Sequence, residues 1–195
     1  MELDASQRKE FIILYAIELM NENGIHNIST KEIAKRLNIS EGLIFKLYPK
    51  KSDLLLEILE RFSQYDKDML YTAMDKNENA MDAIRFYINS YLSYYENYPE
   101  ITAVYQSYDS FHGDAILEQK TRSIFFGRIS YLTIMIQKAQ ESGLVRSDLD
   151  AENVATILSS IIRGMCLKRR LTEGHFPLKE KTIEATSLVL AAIQI

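Results

Sequence analysis

Cysteine, proline, glycine and tryptophan are scarce in this 195-residue chain: one Cys, three Pro, seven Gly and no Trp. A single cysteine, Cys166, excludes an internal disulfide and with it the stapled secreted domains. It adjoins Ile162 and Met165 on an apolar stripe and reads as a small core or interface residue. Few turn residues, and no alternation of Val, Ile and Thr between them, argue against sheets and leave helices. No apolar run reaches the roughly 18 residues of a membrane-spanning helix. The opening Met-Glu-Leu-Asp-Ala-Ser-Gln lacks the basic and apolar regions of an export signal, so a cytoplasmic location is expected. His26, His112 and His175 lie far apart, none at ligand spacing from Cys, Asp or Glu, so neither a metal nor a cofactor is expected. No phosphate-cradling glycine loop, nucleophile elbow or His-Glu-x-x-His occurs, which argues against an enzyme. A formal net charge of -4 excludes nucleic-acid binding by bulk attraction.

What the chain does have is concentrated between residues 29 and 51. Ser29 and Glu32 form a Ser-x-x-Glu capping box, followed by Ile33, Ala34 and Leu37 on one face of a helix barely two turns long. Asn38 suits a left-handed turn, Ile39 can plug it, and Ser40 can cap a second short helix that buries Ile44 and Tyr48. Glu41, Gly42, Leu43, Lys46 and Leu47 face outward. Two short helices that cannot stand alone, joined by a tight turn, make a helix-turn-helix, whose second helix enters the DNA major groove. Charge agrees locally. Six bases (Lys31, Lys35, Arg36, Lys46, Lys50, Lys51) stand against two acids (Glu32, Glu41), and phosphate binding needs one basic face rather than a basic protein.

Residues 8–60 resemble the N-terminal three-helix domain of the TetR-like (tetracycline-repressor) family of bacterial regulators. The likeness rests on Gly24, Ser29-Thr30-x-x-Ile33-Ala34, Leu37-Asn38-Ile39-Ser40, Gly42 and Phe45-x-x-Tyr48-Pro49-x-Lys51-x-x-Leu54-Leu55. It implies DNA contacts from Ser29, Thr30, Lys31, Ser40, Glu41, Gly42, Leu43, Phe45, Lys46, Leu47, Tyr48 and Lys51. At Phe45 the family usually has a tyrosine whose hydroxyl reaches a backbone phosphate, and at Leu47 a histidine or aromatic is common. Leu43 and Leu47 leave a less polar reading face, suited to thymine methyl groups. The resemblance further implies a ligand-released repressor, working as a homodimer on a near-palindromic operator. The alternatives are an activator of the same fold, or a helical small-molecule-binding or signalling protein with no DNA role.

The remainder reads as helices, giving an all-α chain of about nine: a DNA-binding domain over 1–51 and a ligand-binding and dimerisation domain over 52–195. A fourth helix begins near Ser52 and keeps one register into the polar stretch 75–79. A fifth runs from about Ala80 to Asn97, and Pro99 opens a short sixth. A seventh ends at Gly143, Asp148 or Asp150 caps an eighth, and the last follows Pro177. Tyr87, Tyr91, Tyr94 and Tyr98, spaced four, three and four apart, lie within roughly 60° on one face of the fifth helix. With Tyr105, Tyr108, Phe125, Phe126, Tyr131 and Met135 they are the expected lining of a pocket for a hydrophobic or aromatic effector. Apolar stripes with small residues on the last two helices are expected at a dimer interface, through Ile157, Ile161, Gly164, Met165, Thr186, Val189, Leu190 and Ile193.

Overall fold

Asp4 accepts a hydrogen bond from the Gln7 backbone N–H at 2.8 Å, and Gln7 Oε1 accepts one from the Asp4 N–H at 3.0 Å. This reciprocal cap starts the first helix. The computed structural model describes residues 4–76 and 79–195. Among them are ten α-helices: α1 (Ala5–Asn23), α2 (Thr30–Leu37), α3 (Glu41–Leu47), α4 (Lys51–Ser63), α5 (Asp66–Lys76), α6 (Ala80–Asn97), α7 (Thr102–Gln106), α8 (Ala115–Glu141), α9 (Ala151–Leu171) and α10 (Leu178–Ile193). The only extended pairing among the described residues is an isolated bridge between Val145 and Gln194. The helices fall into two compact units: Met1–Gln64 with Glu100–Thr121, and Tyr65–Pro99 with Arg122–Ile195.

The first unit, the head, is built on α1. Its inner face, Ile12, Ile13, Ala16, Ile17, Leu19 and Met20, is buried, and α2, α4 and α7 pack against this helix. The second unit, the body, holds α5, α6, most of α8, α9 and α10. There α6 packs against α5 and α10, and α10 packs against α9.

The expected fourth helix is two helices. After Ser63 the chain makes a tighter turn, with the Gln64 N–H donating to the Arg61 carbonyl, and α5 restarts at Asp66. Ser63 Oγ bonds back to the Leu59 carbonyl at 3.0 Å, a local competition that weakens helix ends. Positions 77 and 78, in the polar stretch expected to end that helix, lie outside the described residues. The later boundaries follow the punctuation: Gly143 has φ 69° just past α8, and Asp150 accepts from the Asn153 N–H at 2.7 Å to cap α9. The other capping candidate, Asp148, binds Arg146 at 2.7 Å.

Candidate nucleic-acid interface

The helix-turn-helix is held by its turn. Asn38 stands in the left-handed region (φ 52°, ψ 44°). The Ile39 N–H reaches the Ala34 carbonyl at 3.0 Å, and the Asn38 N–H reaches that of Lys35 at 3.2 Å. These paired bonds define a Schellman stop, which asparagine tolerates almost as well as glycine. Ser29 Oγ accepts the Glu32 N–H at 3.3 Å as the capping box requires, while Glu32 turns its carboxylate to Arg36 at 3.5 Å. Ser40 occupies the cap position of α3 but makes no side-chain cap bond. Thr30 Oγ1 instead ties the two helices by donating to Glu41 at 2.6 Å.

Burial sorts the expected DNA contacts. Ile44 is wholly buried and anchors α3, leaving Phe45 51% exposed. Gly42, Lys46 and Lys51 are exposed beside it, as are Ser29, Lys31 and Ser40, while Thr30, Glu41, Leu43 and Leu47 are half-buried. The Phe45 ring stands at the rim of the groove described next, accessible from solvent. Tyr48, expected among the contacts, lies instead beneath this surface at 4% exposure. Its hydroxyl is buried without a hydrogen-bond partner, and burial with nearby Glu57 pushes its pKa up to about 12. Tyr48 lines a groove of about 410 Å³ with Ser29, Thr30, Phe45, Lys50 and Lys51. The starts of α2 and α4 both border this groove, and free N–H groups at helix starts favour a phosphate.

Arg36 leaves the basic patch altogether. Its guanidinium meets Glu22 at 2.7 Å, Glu18 at 3.4 Å and Glu32 at 3.5 Å, clamping α2 onto α1. Hydrogen bonding from Arg36 holds the Glu22 carboxyl below the usual carboxylate range. The exposed bases are Lys31, Lys35, Lys46, Lys50 and Lys51. Lys51 Nζ donates to the His26 carbonyl at 3.0 Å, which fixes its ammonium at the rim of the groove.

The aromatic residues expected to line one pocket divide between the units. Tyr105 and Tyr108 belong to the head, with ring centroids 5.8 and 6.1 Å from that of Phe62. In the body, Tyr87, Tyr91 and Met135 are buried, Tyr94, Tyr98, Phe125 and Tyr131 are half-buried, and Phe126 is 52% exposed. At the centre stand two charged residues that the aromatic pattern did not reveal, Asp66 and Arg128. Arg128 donates from Nε to Asp66 Oδ2 and from Nη2 to Oδ1, both at 2.9 Å, and from Nη1 to the Tyr95 hydroxyl at 2.9 Å. Tyr91 donates to Asp66 Oδ1 at 2.8 Å, and Tyr87 reaches the Tyr91 hydroxyl at 3.3 Å. The guanidinium also lies 4.7 Å from the Tyr91 ring centroid, within cation–π range. Desolvation pushes the Tyr91 phenol well up, so it stays a donor. The signal was present in sequence: Arg128 falls among Ile124, Ile129 and Leu132 on the buried face of α8, where a charge needs a buried partner.

Residues 12–58 match the model of the bacterial regulatory proteins of the tetR family. Over most of its length the chain also resembles solved regulators: the MbdR regulator from Azoarcus sp. CIB (TM-score 0.84, 21% identity, 96% of this chain and 100% of that one) and FadR from Bacillus subtilis in complex with stearoyl-CoA (TM-score 0.80, 20% identity, 95% and 99%). Residues 12–58 of the head match that family's domain, and the whole chain has the fold of these solved regulators. Among curated proteins it is 21% identical over 172 residues to the nucleoid occlusion factor SlmA of Glaesserella parasuis, covering 87% of this chain and 83% of that protein.

The body also shows which helix faces lack a cover within the chain. On α9, Ile157 (49% exposed), Leu167 (43%) and Leu171 (76%) are exposed, with Gly164 exposed between them. No atom lies within 4 Å of where a Gly164 Cβ would stand, so nothing within the chain demands glycine in mid-helix, where it costs about 1 kcal/mol relative to alanine. On α10, Leu188 is 75% exposed, with Ala191 and Ala192 exposed on the same face. Ile161, Met165 and Val189 are half-buried. Thr186, Leu190 and Ile193, expected at the interface, face inward at 2%, 2% and 6% exposure. Helix α10 is apolar on more than one side, and the period alone did not choose between them. Among the described residues no three His, Cys, Asp or Glu side chains cluster to hold a metal ion, and no helix is long and apolar enough to cross a membrane.

Proposed function

We propose that this chain is a ligand-released transcriptional repressor that binds a near-palindromic operator as a homodimer in the cytoplasm. The observation that carries the DNA role is α3, seven residues long, anchored by Ile44 and presenting Phe45 and Lys46 to solvent. Lysine can donate to guanine O6 or N7, and leucine methyls suit thymine. Lys50 and Lys51 at the groove beside α4 would take a backbone phosphate, which positions the helix without reading sequence. Dimerisation through the exposed faces of α9 and α10 would set two such helices on half-sites one turn of DNA apart, about 34–36 Å, or a multiple of it. A hydrophobic or aromatic effector in the body would act by preferring the state whose heads do not fit that spacing.

Fluorescence anisotropy with a duplex from the region upstream of the gene tests the reading. Tight binding that is lost on a scrambled duplex supports it, and equal affinity for both sinks it. A second reading is favoured by the closed Asp66–Arg128–tyrosine network, which fills the centre of the body with the protein's own side chains. On that reading the chain, which is 21% identical to a nucleoid occlusion factor, occupies DNA without small-molecule release. Binding that no compound relieves would favour the second reading.

A further inference from the structure

Two acids stand between residues 29 and 51, in different settings. Glu32 pairs with Arg36 at 3.5 Å. Glu41 makes no ion pair among the described residues, and the one hydrogen bond to its carboxylate there comes from the Thr30 hydroxyl, 2.6 Å from Oε1. Glu41 is the first residue of α3, and the first residues of the second helix are those that meet base edges when such a motif docks. It lies one turn before the exposed ring of Phe45, on the same side of the helix. A carboxylate in that place repels every phosphate near it, on a surface whose exposed charges are otherwise Lys31, Lys35, Lys46, Lys50 and Lys51. Only a hydrogen-bond donor on the DNA offsets that repulsion. The major groove presents two kinds, the amino groups of cytosine N4 and adenine N6. Adenine sets its acceptor N7 beside N6, so a carboxylate that takes the amino proton brings its remaining charge against a lone pair. Cytosine presents N4 alone.

We propose that Glu41 is a base-reading residue that accepts from cytosine N4, and that Thr30 is the positioning residue that aims it. The proposal rests on the DNA-binding reading above and gives each half-site of the operator one C·G pair. It also changes the part Thr30 plays. A hydroxyl has one proton to donate, so while Thr30 holds Glu41 it cannot donate to a phosphate. The bond runs from the first residue of α2 to the first residue of α3, which fixes the carboxylate against a second helix and not only against its own.

The test is selection of bound duplexes from a random-sequence pool by the full chain, followed by anisotropy titrations on the selected duplex and its single-pair variants. Wild type should retain cytosine at one fixed place in each half-site, and replacing that pair in one half-site should weaken binding at least about fivefold. Glu41→Gln keeps the shape of the side chain and adds an amide donor, so selection should move to adenine at that place and nowhere else. Thr30→Val should flatten the preference at the same place, and Thr30→Ser should restore it. A Thr30 that merely held the fold would weaken every position alike. A wild-type selection without the cytosine, a Glu41→Gln chain that selects the wild-type sequence, or a Thr30→Val chain that loses all positions equally would each overturn the proposal. The DNA-binding reading fails separately, as a wild-type chain that selects no sequence at all.

Discussion

Replacing Leu188 by aspartate should convert a dimer to monomers without unfolding the chain, because this side chain is 75% exposed in the single subunit. Full burial of a leucine is worth about 2 kcal/mol. Covering the exposed three quarters across a two-fold axis therefore contributes about 3 kcal/mol per dimer, since each subunit supplies one copy. The aspartate adds about 1–3 kcal/mol per subunit for a carboxylate left unpaired in an apolar seam. The sum is at least about 5 kcal/mol, more than a thousandfold in dissociation constant at about 1.4 kcal/mol per decade. Sedimentation velocity at micromolar concentration should show monomers with unchanged helical circular dichroism, and operator affinity should collapse. The control is Leu190→Asp, two residues along and 2% exposed, which should unfold the body instead. A Leu188→Asp chain that still sediments as a dimer would refute the assignment of this face, as would a Leu190→Asp chain that stays folded but monomeric.

Phe45→Tyr restores the hydroxyl common at this position in the resembling family, and should tighten specific and scrambled duplexes alike by about 1 kcal/mol per subunit, roughly fivefold, in anisotropy titrations. Lys46→Ala should cost about 1–3 kcal/mol on the operator and little on a scrambled duplex, whereas Lys50→Ala should weaken both and flatten the salt slope by about 0.9 per lost phosphate contact. Glu22 has its pKa lowered by Arg36. Its contribution is thus present above the ordinary carboxylate pKa and is lost as pH falls through the lowered one, so Arg36→Met should reduce the acid dependence of Tm between pH 7 and 3. Burial raises the Cys166 thiol to about 12, so it should not react with a thiol reagent at pH 8 until the protein is denatured.

The head was legible because its signals are local. A capping serine, an asparagine at a Schellman stop and one or two buried residues per short helix are each fixed within a few positions of sequence, and the structure places Ser29, Asn38 and Ile44 accordingly. Facts that depend on partners distant in the chain were not legible. Arg36 reads as part of a basic run until α1 brings Glu18 and Glu22 to it. The Tyr87, Tyr91, Tyr94 and Tyr98 line shows a shared helix face, but Tyr95 meets Arg128 because of where α8 lies. On α10 the expected interface residues Thr186, Leu190 and Ile193 face inward while Val189 is half-buried, since period marks a face and only packing says what covers it.

The bridge between Val145 and Gln194 gives the exposed face of α10 a fixed rotational setting. The Arg146 N–H binds the Ile193 carbonyl at 3.0 Å and the Ile195 N–H approaches the Leu144 carbonyl at 3.4 Å, so the helix is pinned at its far end as well as by its packing on α6 and α9. A helix so fastened cannot roll about its own axis to suit a partner. In the proposed dimer a second subunit would have to accept Leu188, Ala191 and Ala192 at the angle at which they are offered, like a key whose bow is clamped. Any adjustment in how two copies meet has to come from sliding or tilting of whole bodies.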